Sequence, residues 1–376
     1  MAANNNAQEQ IARVQRVDAC EVVVVGAGLV GAAVAANLAA EGLDVAVIEA
    51  RNVAGGATGH TAGLVLTGLP IFYAQAAERY GRETAQAVWR LTVGNRDSVA
   101  SAADRLGVEL QRTGSLVLAE NDEQAALLQT SSELLTEDGF EVSFESVDPL
   151  NRGFAAALRY PEDAVVDAVG LTQSLFSAYE IPVHTGTEVF KLEQDGSEIK
   201  VWAHGRLVRA TTVVLAVNAY APLVDRYFSD KIAPVRGHTL VTDPLEQALA
   251  PAPGSVAPFF FRQDDDGHLF FMAWPTRYET PAASAEERTA EVDLMRFVGR
   301  YFPETSARFA RRTSSVMGIS RDGLPLIGAL PHLPQVFFVV GFAASGMSLA
   351  FAAADLLAGL VLRGAEPDVF SARRLE

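Results

Sequence analysis

The chain passes from a polar opening into the apolar run Glu21-Val22-Val23-Val24-Val25, then into Gly26-Ala27-Gly28-Leu29-Val30-Gly31. An unbroken β-branched run predicts a strand over 22–25 buried on both faces. Helical spacing predicts a helix over 29–41, ended by Gly42, and residues 44–48 predict a second strand. The pattern over 69–105 is helical with a break near Gly94. Residues 108–111 and 115–118 predict a hairpin, 123–135 an amphipathic helix, and 168–178 another helix. Short strands are expected over 181–184, 188–193, 199–203 and 206–210, then a second buried strand over 212–216. Residues 234–242 and 258–272 predict strands of a second sheet, the latter folded about Asp264-Asp265-Asp266-Gly267. A helix over 286–301 and a strand over 313–318 follow. The last apolar run, 336–362, begins β-branched and aromatic and ends alanine-rich. It reads as strand, glycine turn and core helix.

Strand, glycines, helix, strand and acid occur at the N-terminus in the order a dinucleotide site requires. Gly26 permits the tight turn, Gly28 lets the backbone approach a pyrophosphate, and Gly31 lets the helix pack closely. The helix N-terminus at Leu29 and Val30 offers N–H groups to the anion. Glu49, 21 residues after Gly28, stands where an acid bonds a ribose hydroxyl, with Ala50 and Arg51 beside it. An acid there favours NAD or FAD over NADP.

At 376 residues the chain is long enough for two domains. Lys and Arg number 30 against 46 Asp and Glu, a net charge of −16. That opposes a nucleic-acid or anionic-membrane partner. The lysines are Lys191, Lys200 and Lys231, and the single cysteine, Cys20, excludes an internal disulfide and points to a reducing compartment. Residues 1–19 lack the apolar core of a secretory signal and read as a flexible arm. Asp355, Gly341 and Gly346 interrupt the last apolar run, so no integral membrane span is expected. The expected location is cytoplasmic.

The fingerprint, the strand ending at Ala216 and the C-terminal turn Ala344-Ser345-Gly346-Met347 resemble the FAD-dependent D-amino-acid-oxidase superfamily, near its glycine oxidase, sarcosine oxidase and dimethylglycine oxidase branches. The resemblance covers residues 20–376. It implies an α/β plus α+β architecture: a Rossmann-like FAD-binding domain, discontinuous over 20–80, 155–225 and 322–376, with an inserted antiparallel-sheet substrate domain over 81–154 and 226–321. The segment from Gly55 to Val65 resembles the loop that runs under the flavin, and Ala57, Thr58, His60, Thr61, Ala62, Gly63 and Leu64 are its candidate contacts. His60 falls on the position that the dimethylglycine oxidase branch bonds covalently to flavin; covalent linkage and simple contact both stay open. Val189, Ala216 and Asn218 match cofactor-facing positions, as do Gly318, Gly341, Ala344, Ser345, Gly346 and Met347 on the C-terminal side.

The resemblance implies oxidation of the C–N bond of a small amine or amino acid by hydride transfer to flavin N5, with O2 or another electron acceptor. An alternative is a flavin-bearing subunit of a hetero-oligomeric dehydrogenase with little activity alone; homo- or hetero-oligomer is left open. Action on RNA, known in one branch, is opposed by the charge. In glycine-oxidase-like members an arginine holds the substrate carboxylate two residues after a glycine, before an Asp-Gly-x-Pro turn. Here Gly318-Ile319-Ser320 precedes Arg321-Asp322-Gly323-Leu324-Pro325, and Ser320 stands at that place. Arg262, His238, Tyr278 and Met347 are the candidate catalytic or substrate residues. For Arg262, a ligand carboxylate and an ion pair with Asp264 or Asp266 are both open. An aromatic cage from Phe261, Trp274, Tyr278 and Met347 competes with a purely core role. No metal site is expected, because the histidines are scattered and Asp264–Gly267 reads as a turn.

Overall fold

A computed structural model of the protein describes residues 16–274, 287–305 and 309–376. Strands and helices are numbered in chain order. The first sheet runs β10 (Val189–Asp195), β11 (Glu198–Ala203), β12 (Arg206–Leu215), β1 (Arg16–Val25), β2 (Val45–Ile48) and β9 (Val183–His184), with β19 (Leu333–Val340) on β12 and β18 (Leu326–Leu330) on β19. β1 lies parallel between β12 and β2, Val22 opposite both Thr212 and Val45. Its valines alternate between two cores. Val22 and Val24 join helix α1 (Leu29–Ala40), while Val23 and Val25 join Phe228, Phe338 and Leu326. Burial on both faces is what the unbroken valine run requires.

The second sheet is ordered β17 (Phe309–Ser320), β13 (Ile232–Thr242), β16 (Leu269–Ala273), β15 (Phe259–Gln263), β14 (Gly254–Val256), β5 (Ser115–Ala119), β7 (Ala156–Tyr160) and β6 (Ser143–Glu145). A small third sheet joins β3 (Leu64–Val65), β8 (Ala164–Val166) and β4 (Leu110–Gln111). The remaining helices are α2 (Tyr73–Tyr80), α3 (Arg82–Leu106), α4 (Asp122–Glu137), α5 (Ala168–Ala178), the short α6 (Ala221–Val224), α7 (Glu287–Tyr301) and α8 (Gly346–Arg363). The mixed α/β fold agrees with the expected class.

Several sequence expectations need correction. Residues 16–19, read as part of a loose arm, are the start of β1; residues 1–15 lie outside the described region. The helical break falls at Gly81, whose φ is +85°, and not at Gly94, which lies inside α3. The expected hairpin over 108–118 is absent: β4 pairs with β8, while β5 pairs with β7 and β14 in another sheet. Gly114, at φ +63°, turns the chain between the two sheets. The two strands expected over 206–216 are one strand, β12. Its first half pairs with β11, its second with β19, and β1 runs beside both. The sequence change there marks a change of neighbour. β7, inside the expected nucleotide segment 155–225, pairs in the second sheet, and α3, inside the expected substrate segment, packs on α8. Local pattern reports element type and is silent on which sheet an element joins.

Helix α8 is long and apolar enough to cross a membrane by length and composition, yet its residues 347–350 and 352–354 are buried, against α1 and α3. Asp355 accepts from Asn37 Nδ2 of α1 at 2.6 Å. Fully buried Asn95 of α3 is the polar pin. Its Nδ2 donates to Met347 O at 3.0 Å and its Oδ1 accepts from Phe351 N at 2.8 Å, both groups of the first turns of α8. Asn95→Ala removes both bonds that tie α3 to α8 and is expected to cost about 1–3 kcal/mol of unfolding free energy, measured by chemical denaturation.

Candidate functional site

A cavity of about 580 Å³ opens at the carboxyl ends of the first sheet, with Val25, Ile48, Ala216 and Val339 at its floor. This is where open α/β sheets bind ligands. Its shape depends on two glycines. Gly26 has φ +109°, and a Cβ on it would lie 2.6 Å from Ala216 O. A Cβ on Gly31 would lie 2.0 Å from Gly26 O, so only glycine lets α1 seat against the turn. Gly28, the N-cap of α1, supplies no capping side chain, and Leu29 N donates to Thr58 Oγ1 at 3.1 Å. Gly26, Gly28, Leu29 and Val30 line the cavity; Gly31 packs behind it.

Glu49 closes one end. Its Oε2 accepts from Ala27 N at 2.9 Å and its Oε1 from Arg51 N at 2.8 Å. The carboxylate is thereby fixed on the glycine turn, with lone pairs left for a ligand hydroxyl. Ala50, Arg51 and Val189 line the same end. Arg51 Cζ lies 5.1 Å from the Tyr220 ring centroid, and Arg51 Nη1 is 3.3 Å from Tyr220 Oη. Tyr220 and Leu223 also line the cavity and were not anticipated from sequence; Leu223 is 83% exposed.

The other wall is the C-terminal turn. Asn218, at φ +41°, accepts from Gly341 N at 2.9 Å and Phe342 N at 3.3 Å. Ala343 N donates to Gly318 O at 2.9 Å. Ala343 itself has φ +47°, a left-handed conformation costing alanine roughly 1 kcal/mol. Strain of this kind collects at functional turns. Ala216, Asn218, Ala344, Gly346 and Met347 line the cavity. Gly318, Gly341 and Ser345 do not; they hold the turn from behind. A Cβ on Gly318 would lie 2.8 Å from Asn218 Oδ1, and Ser345 N donates to Phe342 O at 2.8 Å.

From the 57–64 loop, Ala57, Thr58 and Thr61 line the cavity. His60, half-buried, is outside the lining and holds Nδ1 2.8 Å from Gly56 O. Ala62 and Leu64 pack under the second sheet with Trp274 and Met317, and Gly63 lets β3 meet Val166.

A family model described as FAD dependent oxidoreductase (DAO) matches residues 21–360. The chain belongs to this FAD-dependent oxidoreductase family. It is 20% identical to a probable oxidoreductase OrdL of Haemophilus influenzae, over 96% of this chain and 86% of that one. In fold it resembles glycine oxidase from Geobacillus kaustophilus (TM-score 0.78, 21% identity, 94% and 98% of the two chains). It also resembles iminodiacetate oxidase from Chelativorans sp. BNC1 (TM-score 0.74, 18% identity, 93% and 98%). The residues present fit the family's cofactor: a glycine cradle that a Cβ would fill, a helix N-terminus whose N-cap Gly28 brings no side chain in the way of the pyrophosphate, and an anchored acid for the ribose.

The substrate candidates are dispersed. Met347 lines the cavity, while Tyr278 lies outside the described residues. His238 is a correction. It pairs with Ala273 on the face turned to α7, and its Nδ1 is 3.9 Å from Glu291 Oε2, because alternation along β13 sends it away from the cavity. Arg262 does not line the cavity, and it forms no ion pair with Asp264 or Asp266 among the described residues. Of the expected cage, Trp274 lines the cavity and Phe261 is core on the α7 side. Ser320 is fully buried and donates to Leu324 O at 2.6 Å, so it serves the turn. Asp264, Asp266 and His268 bring ligand atoms within 4.8 Å of one another, where the sequence reading saw a turn; His268 N donates to Asp264 Oδ1 at 2.8 Å within it. Ser315, Val316 and Met317, missed from sequence, line the cavity beside Trp274. The wall made by Trp274, residues 315–317 and residues 342–347 carries no charged side chain among the described residues.

Asp163 supports this region from below. Its Oδ1 accepts from Thr67 N at 3.0 Å and Thr67 Oγ1 at 2.6 Å, and its Oδ2 from Ser115 Oγ at 2.6 Å. Leu66 N in turn donates to Ser348 Oγ of α8 at 3.0 Å. Burial pushes the Asp163 carboxyl up to about 6 against those hydrogen bonds.

Two outcomes are expected. Glu49→Gln offers one oxygen where two N–H groups now bond, and FAD affinity measured by flavin fluorescence is expected to fall about 10–100-fold. For Asp163 the folded value lies above the unfolded one, so the folded state binds more protons between them. Its stabilising contribution is full below the unfolded value and lost as pH rises through about 6. Unfolding free energies of wild type and Asp163→Asn, compared from pH 4 to 7, are expected to diverge by about 2 kcal/mol, wild type losing more as pH rises.

Proposed function

We propose that the protein is an FAD-dependent amine or amino-acid oxidase or dehydrogenase that oxidises the C–N bond of a small substrate. The observation that carries this reading is the uncharged cavity wall of Trp274, Met317 and Met347, continuous with the strained turn at the N-terminus of α8. An apolar wall excludes water and favours the neutral amine, the form whose nitrogen lone pair assists loss of the α hydrogen. FAD, which the glycine turn, Glu49 and the C-terminal turn would hold, would supply the two-electron acceptor for oxidation of the substrate C–N bond. Backbone N–H groups at Ala344 to Met347, with the helix dipole behind them, suit negative charge at the flavin pyrimidine edge.

His60 is the proposed linkage residue. Because Gly56 O only accepts, the proton sits on Nδ1, which leaves Nε2 with the lone pair of a nucleophile. No lysine lines the cavity among the described residues, so the electron acceptor, O2 or another, is left to experiment.

Anaerobic mixing of the yellow holoenzyme with glycine, sarcosine, dimethylglycine, proline, D-amino acids and alkylamines tests the reading. One class is expected to bleach the flavin band near ~450 nm. Prompt recolouring in air marks an oxidase, and slow recolouring a dehydrogenase. A flavin that none of these amines bleaches overturns the assignment. Acid precipitation reports His60: colour stays in the pellet if the bond exists, and His60→Ala releases it.

A further inference from the structure

Four parallel strands end in a row at the cavity, and each hands the chain to a different part of the site. β2 leads into Glu49, β1 into Gly26 to Gly28, β12 into Ala216 to Asn218, and β19 into the turn from Gly341 to Met347. β2 pairs with β1, β1 with β12 and β12 with β19, all parallel, so the four exits follow one another across the sheet. Neighbouring strands stand about 4.8 Å apart, so consecutive exits meet consecutive short segments of one extended ligand. The groups of FAD have a fixed covalent order: adenosine ribose, pyrophosphate, ribityl chain, isoalloxazine ring. Glu49 suits the ribose, and the glycine turn with the N-terminus of α1 suits the pyrophosphate. The N–H groups of residues 344–347 suit the pyrimidine edge of the ring. One exit, that of β12, lies between the glycine turn and the C-terminal turn. One group of the cofactor, the ribityl chain, lies between the pyrophosphate and the ring.

The side chain at the β12 exit is Asn218, and its oxygen fixes its orientation. Oδ1 accepts from Gly341 N at 2.9 Å and Phe342 N at 3.3 Å, and a Cβ on Gly318 would stand 2.8 Å from it. A nitrogen in that place would set donor against donor, so Nδ2 is on the opposite side of the amide. Asn218 lines the cavity. Its Nδ2 has no hydrogen-bond partner among the described residues and is not sealed from solvent. The backbone at φ +41° favours glycine, asparagine or aspartate. Glycine would give the turn no acceptor. Aspartate would accept the two N–H groups at least as strongly, through a charged oxygen. What asparagine adds over aspartate is a donor, and the donor is the atom without a partner. We propose that Asn218 Nδ2 donates a hydrogen bond to a ribityl hydroxyl of FAD, and that the same amide ties cofactor occupancy to the turn at the N-terminus of α8. Asn218 is thus a positioning residue between cofactor and turn. The inference rests on the fit of the cavity to FAD and holds whatever the substrate.

The test measures, by flavin fluorescence, the binding of FAD and of FAD analogues lacking the 2′-, 3′- or 4′-hydroxyl of the ribityl chain. The full chain, stripped of flavin, carries His60→Ala throughout so that binding is reversible. Asn218, Asn218→Asp and Asn218→Gly are compared in that background. Asn218→Asp keeps both acceptor contacts and the backbone conformation, and Asn218→Gly keeps only the conformation. With Asn218 present, one analogue is expected to bind about 3–10-fold more weakly than FAD, the effect of one hydrogen bond. In both variants that analogue and FAD are expected to bind alike. Exchange of the Gly341 and Phe342 amide hydrogens is expected to slow when FAD binds, and to slow less with the weak analogue. Equal binding of FAD and all three analogues when Asn218 is present overturns the proposal. So does discrimination that persists unchanged in Asn218→Asp and Asn218→Gly, where an equal loss of affinity for every flavin marks a purely structural joint. Either variant decides if the other does not fold. Failure of every flavin to bind overturns the cofactor assignment together with the proposal, whereas binding without discrimination overturns the proposal alone.

Discussion

One side-chain amide holds together three segments that are far apart in sequence. Asn218, at the end of β12, turns its oxygen to the N–H groups of Gly341 and Phe342. Gly318 of β17 fits against the same oxygen only because it lacks a Cβ. Ala343 N, bonded to Gly318 O, closes the triangle. The first sheet, the second sheet and the start of α8 therefore meet at one point, and the distance between the nucleotide cradle and the uncharged wall is set there. Several directional hydrogen bonds converging on one half-buried amide make a defined joint, and the left-handed backbone at Asn218 and Ala343 is the strain that joint sustains.

What could be read from sequence was local. The valine run, the glycines and Glu49 lie within thirty residues, and each follows from short-range geometry, so strand, turn, helix and acid were all legible there. Pairing across long separations was not. β4 and β5 look like a hairpin because they are adjacent and alternate, yet they belong to different sheets. His238 looked like a site residue because it lies on the strand that enters the second domain; alternation along β13 turns it to Glu291. An ion pair between Arg262 and Asp264 or Asp266 was equally reasonable from spacing; among the described residues none forms, and Asp264 bonds His268 instead.

The buried polar groups are arranged as supports for the cavity. Asn95 fixes the first turns of α8, and Asp163 fixes the strand end that meets Ser348 of the same helix. Neither stands in a recognisable motif, since each partner is a backbone or hydroxyl group supplied by a distant segment. Their cost in desolvation is offset by nearly complete hydrogen bonding. The apolar core alone would tolerate small shifts of α8 against α3; directional bonds at these two points do not.

The cavity draws its walls from residues 25–61, 187–190, 216–224, 274, 315–317 and 339–347. During synthesis the phosphate cradle leaves the ribosome early, but its floor strand β19 and its closing turn emerge only near the end of the chain. A nascent polypeptide therefore carries the glycine fingerprint without a finished chamber until β19 and the turn have been made. Until β19 arrives, the second half of β12 presents an unpaired edge, the kind of surface that chaperones shield. Cofactor loading thus waits for β19 and the closing turn, and loss of residues 333–347 would remove the binding site as surely as loss of residues 22–31.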